Sequence, residues 1–361
     1  MKRAIRTNAM RMNLLALALL PAMAAAQTVE QQSDGVIVRP ADAKAADVRL
    51  QLVNDRIIRV SADLDGDFAR SASLMRVPVS GTPTFTVVAG KDSVRLQAAG
   101  IAAEVSLSDG QVTFFDKAGK PLVAEVDGAR EFTATTFEGT PYYSVRQRFQ
   151  SHDDEGLYGT GLHQQGWMNL KGRDVELLMH NIDKAIPYLL SSRHYGILWD
   201  NNSITRYGDP RGLQPLGNTL DLFDANGRKG ALTARYSVGG KQRVERRESA
   251  INYQYIKDLA AFPDAGKNLA QGGRSDVTWV GRIAARSDGR HTFSLYNSEY
   301  AKLYIDGKLV IDRWRQNWNP WHHEFALEMK AGEQHDIRVE WDRIEPAYIA
   351  LLHRDPLPKA E

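Results

Sequence analysis

Three stretches of this 361-residue chain concentrate side chains that can recognise a polar ligand. The first runs Tyr158-Gly159-Thr160-Gly161-Leu162-His163-Gln164-Gln165-Gly166-Trp167. The second runs from His180 to Tyr188 and holds Asn181, Asp183 and Lys184, and the third runs from Tyr195 to Asn201 and holds Trp199 and Asp200. Carboxamides, a carboxylate and aromatic rings together suit a hydroxyl-rich ligand, which needs donors and acceptors side by side with a flat apolar face. Gln164, Asn181 and Asp183 are the candidate contacts. The competing reading is a turn before Pro187 capped by Asn181 and Asp183, a common use of those residues. Phosphate chemistry does not fit, because Gly159 and Gly161 lack the third glycine and the helix start of a phosphate-binding loop.

A fourth stretch, Asp312-Arg313-Trp314-Arg315-Gln316-Asn317-Trp318-Asn319-Pro320-Trp321-His322-His323, places three of the seven tryptophans within eight residues. As a sugar platform, Trp314, Trp318 and Trp321 would stack on pyranose faces while Arg313, Arg315, Gln316 and Asn319 bond the hydroxyls. Equally, the rings could close the core of a small sandwich, where aromatic burial carries much of the stability. A metal on His322-His323 is disfavoured because neighbours on a strand point to opposite faces. Hydrolysis of a glycoside needs two opposed carboxyls, and sequence spacing does not supply that geometry. Trp341-Asp342-Arg343-Ile344-Glu345 reads as a strand end and solvated turn before Pro346, without a catalytic role.

The elements that must position these residues are strands. Short alternating runs at Val48–Val53, Ile57–Val60, Phe85–Val88, Val94–Leu96, Ala102–Leu107 and Val112–Phe115 have the period of a half-buried strand. Asp109-Gly110, Asn226-Gly227, Gly239-Gly240, Asp288-Gly289 and Asp306-Gly307 are hairpin-type turns. A helix is predicted only over Ile256–Phe262, stopping at Pro263. Beyond the glycine-rich break near Gly272-Gly273, further strands are predicted at Val277–Ile283, His291–Tyr296, Ala301–Ile305, Leu309–Ile311, Phe325–Met329, Asp336–Trp341 and Ala347–Leu352. The chain is therefore expected to be all-β: a large β-sandwich over residues 27–255, followed by a smaller one over 256–358, with 359–361 a truncated end.

Composition sets the setting. Residues 1–26 read as a signal peptide, with Lys2, Arg3, Arg6 and Arg11 before an apolar run from Leu14 to Leu20 and small residues up to Ala26. The formal charge of +2 belongs to that leader, since without it 42 basic face 44 acidic residues. No bulk charge draws the remainder to nucleic acid or to an anionic membrane. The apolar run is too short for a membrane anchor. With no cysteine there is no disulfide, thiolate metal site or lipid-modified cysteine. The expected location is the periplasm or the exterior of the cell.

The strings Tyr158 to Gln165, His180 to Pro187 and Tyr195 to Ser203 resemble the N-terminal β-sandwich of glycoside hydrolase family 31, the α-glucosidase and α-xylosidase group, a sandwich of galactose-mutarotase-like fold. Gly289 to Phe293, Lys302 to Val310, Ala331-Gly332 and Ile337 to Trp341 resemble the sugar-binding domain first known from the anthrax protective antigen. Such a domain inserted into this sandwich is similar to the arrangement in bacterial α-xylosidases acting on xyloglucan fragments. The resemblance implies that the catalytic aspartates sit on a (β/α)8 barrel, which needs about 250 further residues and is absent from this chain, so that no catalytic residue is assigned. It also implies that Asn181 and Asp183 help to shape the sugar site, with Asp183 in direct contact, and that the insert extends the cleft toward the leaving-group sugars. Calcium-dependent relatives of the insert use paired aspartates where this chain has Ser298-Glu299. Two hard ligands fall short of calcium's six to eight, so neither a metal nor any other cofactor is expected. The expected partners are a xyloglucan-type oligosaccharide and the missing barrel. A free-standing secreted carbohydrate-binding or adhesion protein, and a mutarotase, remain as alternatives.

Overall fold

The structure, a computed structural model, describes residues 28–69, 73–77, 84–179, 183–209, 211–255, 274–344 and 346–357. The predicted leader and the predicted helix over Ile256–Phe262 lie outside them. Strands dominate, and the one helix among the described residues is the single turn Leu216–Thr219. No described helix is long and apolar enough to cross a membrane. No (β/α)8 barrel is present among the described residues. The residues form two compact units, 1–156 with 190–202, and 157–189 with 203–361.

The first unit holds two antiparallel meanders. Thr28–Gln32, Gly35–Arg39, Asp47–Asn54 and Ile57–Asp63 make a four-stranded sheet. Thr86–Ala89, Ser93–Gln97, Ile101–Ser106, Val112–Asp116, Pro121–Phe137 and Thr140–Phe149 make a six-stranded one, also in sequence order. Alternation explains the core: Val48, Leu50 and Leu52 are buried while Arg49 and Gln51 between them are not, and they pack with Val94, Leu96, Val105 and Val112 of the other sheet. The stretch from Tyr195 to Asn201 closes on this unit. Tyr195 donates its hydroxyl to the buried Glu155 at 2.6 Å, and Asp200 accepts from Arg59 Nε at 3.1 Å and Ser73 Oγ at 2.8 Å.

The second unit is a two-sheet sandwich. One sheet runs Lys241–Glu248, Leu232–Val238, Arg274–Ala284, Gln334–Ile344, Glu299–Ile305, Lys308–Arg315, with Asp221–Phe223 paired to the end of Arg274–Ala284. The other runs Gln214–Pro215, Ile349–Arg354, Gly289–Asn297, Trp321–Met329, with Ile251–Tyr253 also paired to Ile349–Arg354. Trp279, Trp341, Phe293, Leu303, Val339 and Leu351 fill the space between them. From sequence, residues up to 255 group with the first sandwich. By packing, residues 157–189 and 203–255 lie in this second unit; Thr233–Val238 pairs with Ser275–Val280, and Leu216, Leu222, Tyr236 and Ile251 join the same core. Asp306 and Gly307 have φ of 50° and 77°, the left-handed pair that a type I′ hairpin requires. The strand holding Trp341 continues to Ile344, so Asp342 and Arg343 are strand residues paired with Asp276 and Ser275, and not a solvated turn.

The glycine-rich string also finds its explanation in this unit. Gly159 and Gly161 have φ of 110° and 109°, and a Cβ on Gly161 would fall 1.7 Å from Lys184 O. They let the strand Leu157–Leu162 approach Lys184–Ser191 at backbone distance. Gly161→Ala is expected to cost well over about 1 kcal/mol, since both backbone conformation and space forbid the methyl. Thermal unfolding and limited proteolysis near residue 160 would register it, and an unchanged melting temperature would contradict this close approach.

Candidate functional site

The site sits at one edge of the second unit, where the chain leaves one sheet on Lys308–Arg315 and enters the other on Trp321–Met329. The intervening turn is held by Asn319 N–H donating to Gln316 O at 3.0 Å, by Arg315 Nε donating to Asn319 O at 3.2 Å, and by Asn317 Nδ2 donating to Ile344 O at 3.2 Å. Beside it lies a cleft of about 370 Å³. Two segments of the chain wall it: Gln164, Gln165 and Trp167 from one, and Val310, Ile311, Arg313, Trp314, Arg315, Trp321, His322, His323 and Glu324 from the other. Arg315 Nη2 ties the two walls by donating to Gln164 Oε1 at 3.3 Å.

Four buried polar atoms on residues of these walls have no hydrogen-bond partner among the described residues: Gln164 Nε2, Gln165 Oε1, Trp321 Nε1 and His323 Nε2. Gln164 Nε2 and Trp321 Nε1 are donors, Gln165 Oε1 is an acceptor, and His323 Nε2 takes either role by tautomer. Buried polar atoms are rarely left unpaired, so each calls for a partner, and a group that both donates and accepts answers the mixture. A sugar hydroxyl is such a group.

Burial and neighbouring charges also shift two titratable residues of the lining. Burial first, and then the charges of Arg313 and Arg315, push His323 down to about 4, which leaves a neutral imidazole at neutral pH. Burial first, and then Asp174, push Glu324 up to about 7, against the opposing pull of Arg354 and Arg173. His322 bonds Ser294 Oγ through Nδ1 at 3.0 Å and packs on Tyr296 with centroids 4.7 Å apart, and this desolvation of the ring pushes it below its ordinary value although part of the residue's surface stays exposed.

The residues predicted from sequence divide into four groups. Gln164, Trp314, Arg315 and Trp321 line the cleft. Gln316 and Asn319 build the turn, and Trp318 projects from it at 78% exposure, away from the cleft wall. Asp183 is buried at the head of the strand Lys184–Ser191, with Oδ1 unpartnered among the described residues, and does not line the cleft. Asn181 lies outside the described residues. The tryptophan cluster does not close the core: Trp314 is 53% exposed, and the core rings are Trp279 and Trp341. Sequence reasoning missed Gln165, Trp167, His323 and Glu324 as wall residues. The doublet Gln164-Gln165 was a usable signal, whereas a single glutamate in a strand was none.

One further cluster has the composition of a metal site, His291, His353 and Asp355. His291 Nε2 faces Ser287 O at 2.9 Å and must carry a proton there, because a carbonyl only accepts. Its Nδ1 then accepts from His353 Nε2 at 2.9 Å, and His353 Nδ1 accepts from Thr219 Oγ1 at 2.7 Å. Every ring nitrogen is used. Burial holds His353 near 3, consistent with a neutral hydrogen-bonded chain inside the sandwich.

Comparison with known proteins shows what the two parts of the chain are similar to. Residues 47–207 match the model of the glycosyl hydrolase 31 N-terminal galactose mutarotase-like domain, and residues 265–353 match that of the PA14 domain. The crystal structure of a GH31 α-xylosidase from Xanthomonas citri superposes with a TM-score of 0.86 at 61% identity, over 92% of this chain and 36% of that one. An α-xylosidase of Saccharolobus solfataricus is 26% identical over 172 residues, 44% of this chain and 22% of its own length. An anti-sigma-I factor of Acetivibrio thermocellus is 31% identical over 170 residues, 46% of this chain and 25% of its own length. The chain thus spans between about a fifth and a third of the length of these relatives.

Proposed function

Because this chain carries the N-terminal galactose mutarotase-like domain of family 31 glycosyl hydrolases followed by a PA14 domain, we propose that it is the non-catalytic front portion of an α-xylosidase-type retaining glycosidase. The observation that carries the reading is the 61% identity to the Xanthomonas citri α-xylosidase over 92% of the chain. Its cleft binds a xyloglucan-type oligosaccharide with α-xylosyl branches. The basic, then apolar leader supports export to the periplasm or beyond. The catalytic carboxyls belong to a barrel partner outside these residues, since Glu324 is the sole carboxyl among the cleft-lining residues and a retaining enzyme needs two, about 5–5.5 Å apart.

The four unpartnered polar atoms and the Trp314 face support the sugar ligand over a purely structural role for this connection between the sheets. Titrating the chain with xyloglucan oligosaccharide while following tryptophan fluorescence and calorimetric heat tests it. Trp314→Ala is expected to weaken binding about tenfold, about 1.4 kcal/mol, through loss of the apolar face. Trp318→Ala should leave the affinity unchanged, because that ring lies off the wall. Equal losses in the two variants, or no heat and no spectral change with the unaltered chain, would contradict the assignment.

A further inference from the structure

We propose that the cleft takes up its sugar together with a proton, carried by Glu324, so that ligand is held at mildly acidic pH and released as pH rises. The proposal rests on the reading of the cleft as an oligosaccharide site and deepens it with a means of regulation.

Glu324 stands on the strand Trp321–Met329 opposite Ser294, and it lines the cleft. Among the described residues no hydrogen bond or ion pair reaches its carboxyl. The cations around it are already committed. Arg354, from the strand Ile349–Arg354, pairs with Asp174 at 2.5 Å and with Asp209 at 3.2 Å. Arg173 lies over the Trp167 ring at 4.9 Å. Asp174, from the segment that covers this side of the sheet, adds a like charge. On the cleft side stand Arg313, Arg315, His322 and His323, and burial pushes both imidazoles down toward the neutral form. Glu324 is therefore a surplus carboxyl in a partly desolvated place, and its pKa near 7 follows from burial and from Asp174.

A bound sugar removes the water that still solvates this carboxyl. The ionised form then loses hydration without gaining a protein partner, which is costly, whereas the acid form presents one O–H donor and one acceptor to a hydroxyl. The acid form suits an uncharged polyol, the ligand class that the unpartnered donors on Gln164 and Trp321 and the acceptor on Gln165 in the same cleft lining also suit. Above its pKa, Glu324 must take a proton from solvent for the ligand to bind.

Calorimetric titration with xyloglucan oligosaccharide decides the matter, at about pH 6 and about pH 8 and in two buffers of different ionisation enthalpy. Affinity about tenfold tighter at the lower pH is expected, the factor by which a group titrating near 7 loses its proton over that range, with net proton uptake at the higher pH. Glu324→Gln, neutral at every pH, should bind at the higher pH as the unaltered chain does at the lower. His322→Asn should keep the full pH dependence. Affinity that is flat or rises with pH, no buffer-dependent heat, or a dependence that survives Glu324→Gln overturns the proposal. The buffer-dependent heat of the unaltered chain is decisive even if Glu324→Gln folds poorly. Absence of binding at every pH overturns the oligosaccharide reading itself, an outcome distinct from pH-independent binding.

Discussion

Trp279→Ala is expected to destabilise the second unit by about 3–5 kcal/mol, the cost of emptying a large buried aromatic site. Trp279 has no exposed surface and stands 6.4 Å, centroid to centroid, from both Tyr236 and Trp341. Its Nε1 also donates to Glu248 Oε2 at 2.8 Å. That carboxylate is buried and takes further donors from the Tyr236 hydroxyl and from Arg246 Nε, while Arg246 Nη2 reaches Tyr253 OH at 2.8 Å. Alanine thus opens a cavity and strips one donor from a buried anion, two losses that add. Against a whole-domain stability of about 5–15 kcal/mol, this leaves a marginal unit. Trp279→Phe keeps most of the volume and removes only the N–H, so its expected cost is about 1–3 kcal/mol. Urea unfolding followed by far-UV circular dichroism measures both. A loss under about 1 kcal/mol for Trp279→Ala, the range of ordinary surface changes, would contradict this account of the core.

Much of the fold was legible because a strand's period is local. Val48, Leu50 and Leu52 alternate with polar neighbours, and the predicted Val48–Val53 is the observed Asp47–Asn54 within a residue or two. In the second unit, Ile337, Val339 and Trp341 mark the buried phase of Gln334–Ile344, which the predicted strand ends three residues early. The membership of residues 203–255 was not legible, because pairing partners such as Ala234 and Trp279 are distant in sequence and no alternation names them. The resemblance to family 31 and to the protective-antigen domain was carried by strings that fall inside the matched ranges 47–207 and 265–353.

The site was legible only in part. Three tryptophans close together marked the right connection, but composition does not say that Trp314 and Trp321 stand on strands of different sheets and line a cleft while Trp318 projects from the turn. Glu324 gave no signal, since its environment depends on Asp174 and Arg354, brought to it by separate segments. Asp200 sits in a string that looked chemically active, yet its carboxylate is taken by Arg59 and Ser73 in the first unit.

The largest expected effect concerns turnover. Enzymes accelerate such hydrolyses by about six or more orders of magnitude, and a retaining glycosidase does so with one carboxyl as nucleophile and another as acid and base. The cleft described here offers one carboxyl, surrounded by groups suited to binding hydroxyls. On the proposed reading the chain binds α-xylosyl oligosaccharide, and the catalytic pair is supplied by a barrel joined to it.

The most direct measurement is release of the aryl group from an aryl α-xyloside by this chain alone and by the same chain extended with the remainder of the Xanthomonas citri α-xylosidase, of which it matches 36%. The account predicts no rate above the uncatalysed one for the chain alone and rapid hydrolysis by the extended protein. Turnover by the chain alone, or an extended protein that leaves the α-xyloside intact, would contradict it.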